Sequence, residues 1–235
     1  YLVSIMYKPV MQEFYQQTIN KTVTFEGIGL HSGKISKVRV TSADNDQGII
    51  FKRTDLKEKN IIKANYSNVS SAKLSTTLEN TFGTKISTVE HLLSAFYIAG
   101  IDNAIVEVNN EEIPIMDGSA KDFIKILDRA GNKTLNKKRK FLKILNKVDV
   151  NENGKTLSIE PNNFGFEVEF ELNYSNHIIG NQKNTVNFFN DDLEDIYSSR
   201  TFCLFEDIQE IKKCGLAQGG SLENAIVVDG EKVVN

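Results

Sequence analysis

Cysteine is scarce in this chain. Two residues, Cys203 and Cys214, lack both the spacing of a metal site and the number needed for a disulfide framework. A reducing cytoplasm is the simplest setting for such a sequence. Long apolar runs are lacking too: no stretch approaches the roughly 20 residues that span a bilayer. Tyr1, Leu2, Val3, Ser4 and Ile5 are too short for a signal-peptide core and have no basic leader. An excess of positive charge is also missing. With 28 basic and 31 acidic side chains, the formal net charge is −3, which leaves no electrostatic footprint for nucleic acid. The one dense basic run, Lys137, Lys138, Arg139 and Lys140, reads as a solvated linker, with transient attraction to an anionic bilayer surface as the alternative.

What is present is ordinary globular composition, 40% hydrophobic and 25% charged. At 235 residues the chain holds one large domain or two of about 100–130 residues, each able to bury a core. Short β patterns at 22–27, 35–41 and 48–53 are separated by Gly and Asp/Asn turns. A helix is expected over 88–99, closed by Gly100, followed by an alternating strand at 104–108. Ser119 caps a second helix that ends near Ala130 and Gly131. The polar, basic segment 132–140 is the best domain boundary, and β patterns restart at 141–150, 156–160 and 166–172. A β-α-β unit follows over 200–228. The expected class is therefore α+β in two units: residues 1–17 as an extension, 18–131 as the first domain, 132–140 as a basic linker and 141–235 as the second domain.

The densest chemistry lies at Ser87, Thr88, Val89, Glu90, His91 and Leu92. A carboxylate and an imidazole stand side by side in the first turn of the expected helix. Ser87 and Glu90 have capping-box spacing, so Glu90 can serve merely to reach back to the Ser87 N–H. Helical periodicity points to more: Val89, Leu92, Leu93 and Phe96 share an apolar face, and Glu90 and His91 point away from its centre. The positive end of the helix dipole favours the carboxylate and a neutral imidazole, the form that binds metal. Ala95 and Ile98 fall opposite the main face, as in a helix covered on two sides.

Four further segments complete a set: residues 27–33 (Gly, Ile, Gly, Leu, His, Ser, Gly), 100–108, 112–120 (opening Glu112, Ile113, Pro114) and the pair 200–202 with 215–221. Together and in this order they closely resemble the zinc-dependent UDP-3-O-acyl-N-acetylglucosamine deacetylases of bacterial lipid A synthesis. The resemblance runs from about residue 18 to 235. It implies two domains of similar topology with helices sandwiched between two sheets, a Zn2+ cofactor, an acylated UDP-sugar as substrate, a cytoplasmic monomer and a Gram-negative source. On that resemblance His91 is a zinc ligand, Glu90 the general base and Thr201 the hydroxyl that stabilises the oxyanion. The unit 200–228 becomes an insert forming an acyl-chain passage, lined by Phe202, Ile208, Ala217, Gly220, Ser221 and Val227.

The same resemblance places a His and an Asp ligand, and later a catalytic His, beyond the Gly-Gly-Ser stretch, where this sequence ends. His31 and His177 are the other two histidines, one in a glycine turn and one in a loop, and neither substitutes convincingly. The second domain is thus expected to be incomplete and the chain, taken alone, inactive. The alternative is a non-catalytic binder of acyl-sugar nucleotides, or a relic lacking the zinc site.

Overall fold

The computed structural model describes residues 14–163 and 165–235. Most of the expected extension over 1–17 lies outside the described residues. Its end does not, because Tyr15 opens the first strand.

The first unit is built on a five-stranded sheet. Strand β1 (Tyr15–Ile19) precedes β2 (Val23–Ile28), β3 (Ile35–Ser42), β4 (Ile49–Arg53) and β5 (Ile61–Lys63). A three-stranded sheet follows from β6 (Val69–Ser71), β7 (Thr77–Glu79) and β8 (Lys85–Ile86). Then come α1 (Glu90–Ile98), β9 (Ala104–Val108), α2 (Lys121–Ala130) and β10 (Asn132–Lys138). The large sheet runs in the order β2-β3-β9-β4-β5, antiparallel except where β4 lies parallel to β9. Alternation in β3 shows why it takes a central place: Ser36, Val38 and Val40 are buried, and Lys37 and Arg39 between them face water. On that wet face Arg39 and Lys52 both reach the Glu107 carboxylate, at 2.8 and 3.0 Å, bridging β3, β9 and β4.

Helices α1 and α2 cover the dry face. Phe51, Phe96, Phe123, Ile62, Leu92 and Leu127 are wholly or almost wholly buried in one core with Val40 and Val106. Phe25 meets Phe123 edge-on, with ring centroids 5.5 Å apart. Gly131 closes α2 with φ +65°, as its place after the last apolar residue predicts.

The second unit holds two antiparallel hairpins, β11 (Val148–Glu152) with β12 (Lys155–Ile159) and β13 (Glu167–Asn173) with β14 (Asn181–Asn187). A short helix α3 (Glu194–Ser198) leads into β15 (Phe202–Leu204), α4 (Phe205–Lys213), β16 (Ile226–Asp229) and β17 (Lys232–Val233). Strands β15 and β16 are parallel, so the expected β-α-β unit is present. Phe166 and Phe188 flank the second hairpin, stack at 5.2 Å and meet Tyr97 of α1 edge-on at 6.0 and 5.6 Å. Helix α1 thus buries Leu92, Ala95, Phe96 and Ile98 in the core and meets these two rings through Tyr97, which stays partly exposed. Among the described residues Val148, Val150, Leu157 and Ile159 form an exposed stripe on one face of the first hairpin. Among the described residues no helix is long and apolar enough to cross a membrane.

One expectation needs correction. Residues 132–138 are not an irregular linker: β10 pairs antiparallel with β1, from Ile19 opposite Asn132 to Tyr15 opposite Lys138. The ribbon is polar because most β10 side chains stay wet, and polarity in such a strand carries no sign of its pairing. Three basic residues of the 137–140 run have definite partners. Lys137 and Lys140 both lie 2.8 Å from Asp46, whose carboxyl they hold well below the usual carboxylate range, and Arg139 lies 2.8 Å from Asp102. Arg139 also donates to the Gly100 carbonyl at 2.8 Å, satisfying an orphan oxygen where α1 ends. The β pattern at 141–150 is likewise shorter than expected, starting only at Val148.

Candidate active site

The site begins where β8 runs into α1. Ser87 gives its N–H to the Glu111 carbonyl at 2.9 Å, so the expected capping box with Glu90 is not made. The Glu90 carboxylate instead accepts the Thr76 N–H at 3.0 Å. That leaves Glu90 half-buried at the helix start as a positioned acceptor rather than a cap. Thr88, two residues before it, takes φ +56°. A β-branched residue in the left-handed region costs on the order of 1–3 kcal/mol and persists only when its surroundings fix it. Here the buried Glu112 carboxylate does so, accepting the Thr88 hydroxyl at 2.9 Å.

His91 is also half-buried. Burial pushes its pKa below the ordinary imidazole value, and the negative charges of Glu90 and Asp117 offset this only in part. The ring is neutral near pH 7, so a lone pair is free for a metal or a proton. Asp117 stands in the tight turn after Ile115 and accepts both the N–H and the hydroxyl of Ser119, at 3.0 and 2.7 Å. The Ser119 hydroxyl in turn accepts the Lys121 N–H at 3.1 Å and so starts α2 in the predicted capping role, although from one position before the helix boundary residue.

The turn at Asp117 and Gly118 brings in the distant part of the chain. Arg200 donates to the Asp117 carbonyl at 2.6 Å, and Thr201 N–H to the Gly118 carbonyl at 2.8 Å. Gly118 has φ +89°, and a Cβ there would collide with the Asn224 carbonyl and come within 3.5 Å of Thr201 Cγ2. Only glycine lets the two backbones approach so closely. Thr201 is thereby held one residue from Asp117, the carboxylate whose field reaches His91. Sequence reasoning singled out Glu90, His91 and Thr201: the first two are neighbours at the start of α1, and Thr201 is tied through Gly118 to the turn that carries Asp117.

The glycine turn at 29–33 docks a second loop. Gly219 and Gln218 donate their N–H groups to the Leu30 and His31 carbonyls at 3.0 and 3.2 Å. The Ala217 N–H donates to His31 Nδ1 at 3.3 Å, which fixes the ring proton on Nε2, 3.3 Å from the Leu74 carbonyl. Both nitrogens of His31 are engaged within the protein. His177 is exposed in the loop between β13 and β14. Among the described residues no three His, Cys, Asp or Glu side chains gather to hold a metal ion.

The residues expected to line an acyl passage divide between two surfaces. Phe202 lines an apolar groove with Leu172, Ile178, Ile226, Val228 and Val233. The register sets Phe202 beside Ile226 and Cys203 beside Val227, so Val227 points to the opposite face of that sheet. Ile208 is half-buried on α4, and Ser221 is exposed. Ala217 and Gly220 sit in the docked loop, where a Cβ on Gly220 would lie 3.7 Å from Leu30. Sequence reasoning assigned no role to Glu112, Asp117, Arg200 or Asn224. The signals were present: a Glu beside the apolar 113–115 run, an Asp-Gly-Ser turn and an Arg preceding the expected hydroxyl.

Known proteins resemble the chain along the same segments. The family model described as LpxC: UDP-3-O-acyl N-acetylglycosamine deacetylase matches residues 16–235. The UDP-3-O-acyl-N-acetylglucosamine deacetylase of Nautilia profundicola is 41% identical over 221 residues, covering 94% of this chain and 74% of the relative. Its namesake from Phenylobacterium zucineum is 38% identical over 226 residues, with coverages of 94% and 76%. That of Geotalea uraniireducens is 39% identical over 222 residues, with coverages of 94% and 72%. With a family match over nearly its whole length and relatives of such identity, the chain belongs to the LpxC family of UDP-3-O-acyl N-acetylglycosamine deacetylases.

Proposed function

We propose that this chain provides the base and one metal ligand for zinc-dependent removal of the N-acetyl group from UDP-3-O-(3-hydroxyacyl)-N-acetylglucosamine, in the cytoplasmic stage of lipid A synthesis. The products are the free amine and acetate. The observation that supports this reading is the backbone link of Thr201 to Gly118, next to Asp117, whose negative charge acts on His91.

His91 fits one zinc position, being neutral and half-buried. The described residues supply no complete set of ligands. When bound, zinc supplies Lewis acidity and an acidic water. The chain's own groups divide the remaining work. Glu90 accepts the proton of the attacking water as its oxygen bonds to the acetyl carbon. The Thr201 hydroxyl donates to the oxygen that becomes negative. The C–N bond then breaks as the amine nitrogen takes up the proton that Glu90 accepted from water, leaving the free amine and acetate. The apolar groove at Phe202 and the loop carrying Gly220 serve the acyl chain, whose methylenes each gain ~0.8 kcal/mol on burial.

Metal analysis after mild chelation, together with a deacetylation assay, tests this. It is done on the chain alone and on the chain continued by the C-terminal segment of the Nautilia profundicola relative, which on the resemblance carries a His and an Asp ligand. The extended form should hold one zinc per chain and turn over. The chain alone should hold well under one and show no activity, because one imidazole binds zinc weakly. An inactive extended form that still binds the acylated nucleotide would favour the second reading, a non-catalytic binder.

Acyl recognition has its own check. Gly220→Phe should raise KM for a long-chain substrate at least ten-fold more than for a short-chain analogue, since the ring would exclude terminal methylenes first. Equal losses for both substrates would remove the loop from acyl recognition.

A further inference from the structure

Glu112 is 1% exposed, yet no cation pairs with it among the described residues. A buried carboxylate persists only when hydrogen bonds replace its lost hydration. Three do. Oε1 accepts the His31 N–H at 2.8 Å and the Thr88 hydroxyl at 2.9 Å, and Oε2 accepts the Ser32 N–H at 2.7 Å. The two adjacent amides of the glycine turn thus converge on one anion, as the successive N–H groups of a backbone nest do.

The three donors come from two places that otherwise meet nowhere in sequence. Thr88 is the left-handed residue that aims the chain into Glu90 and His91. His31 belongs to the turn on which Ala217, Gln218 and Gly219 are docked. A single carboxylate therefore sets the orientation of the proposed base and ligand and, at the same time, the seat of the loop carrying Gly220.

We propose that Glu112 is a positioning residue that couples the Glu90–His91 helix start to the 217–220 loop through the 29–33 turn. It touches neither substrate nor metal. Its effect on catalysis rests on the proposed function, but its coupling role does not.

The experiment uses Glu112→Gln in the 235-residue chain. The amide keeps the shape, but it replaces one acceptor oxygen by donors facing N–H groups. Amide exchange at His31 and Ser32 should quicken at least ten-fold, and exchange at Val40 and Val106 in the central strands should stay as it was. Ring signals of His31 and His91 should shift, with exposed His177 as the unmoved internal control. If Glu112→Gln does not fold, Thr88→Val and Thr88→Ser carry the same test: loss of the hydroxyl alone should shift the His91 signals, and serine should restore them. In the extended form, kcat per folded molecule should fall about ten-fold or more in Glu112→Gln.

Unchanged exchange at His31 and Ser32 with unmoved His91 signals would overturn the proposal. So would uniform loss of protection across the central strands with kcat per folded molecule retained, which marks a role in stability alone. A wild-type extended form without turnover would sink the proposed function, and the exchange and ring signals would still decide the coupling.

Discussion

Glu90→Gln in the zinc-loaded extended form should keep its metal and lose turnover by about 10²–10⁴-fold, the usual range for removing a general base. The geometry makes this a clean substitution. Of the two carboxylate oxygens, Oε2 is held by the Thr76 amide at 3.0 Å, which leaves Oε1 to take a proton from water. Glutamine can still accept from Thr76 through its own oxygen, so the helix start should not move. It cannot accept a proton at neutral pH. Zinc content and steady-state rates of the purified variant are the measurements. Near-normal turnover at full zinc would reduce Glu90 to a fastener for the Thr76 backbone.

Thr201→Val should lower kcat by about 10²–10³-fold, with little change in KM. The main chain of Thr201 does the docking: its N–H donates to Gly118 at 2.8 Å and its carbonyl accepts the Ile226 N–H at 2.9 Å. Valine retains both bonds and the methyl near Gly118, so only the hydroxyl is lost. A donor aimed at charge that develops late should act on the transition state alone. Rates over a range of substrate concentrations separate the cases, and a change confined to KM would reassign Thr201 to ground-state binding.

Much of the fold could be read from the chain because its signals are local. Strands β2, β3, β4 and β9 and helices α1 and α2 fall within two residues of their hydrophobic and glycine boundaries. What could not be read depends on partners remote in sequence. Ser87 and Glu90 have the spacing of a reciprocal cap, but each finds a better partner elsewhere, at Glu111 and Thr76. The polarity of β10 hides its pairing with β1, and the anchoring role of Glu112 depends on residues 81 and 24 positions away. Phe202 and Val227 illustrate the limit of motif reading. Both lie in the expected β-α-β unit, and their assignment to opposite faces follows only from the register with which β15 meets β16.

The ribbon of β1 and β10 has a consequence for how the molecule is made. Tyr15 cannot find Lys138 until nearly all of the first unit has left the ribosome, at about 5–20 residues per second. Closing so long a loop costs entropy before any hydrogen bond repays it, so this pairing should come late, after the local helices have formed. Until then β1 offers an unpaired edge, and a nascent chain stalled before residue 132 presents that edge to any other strand nearby.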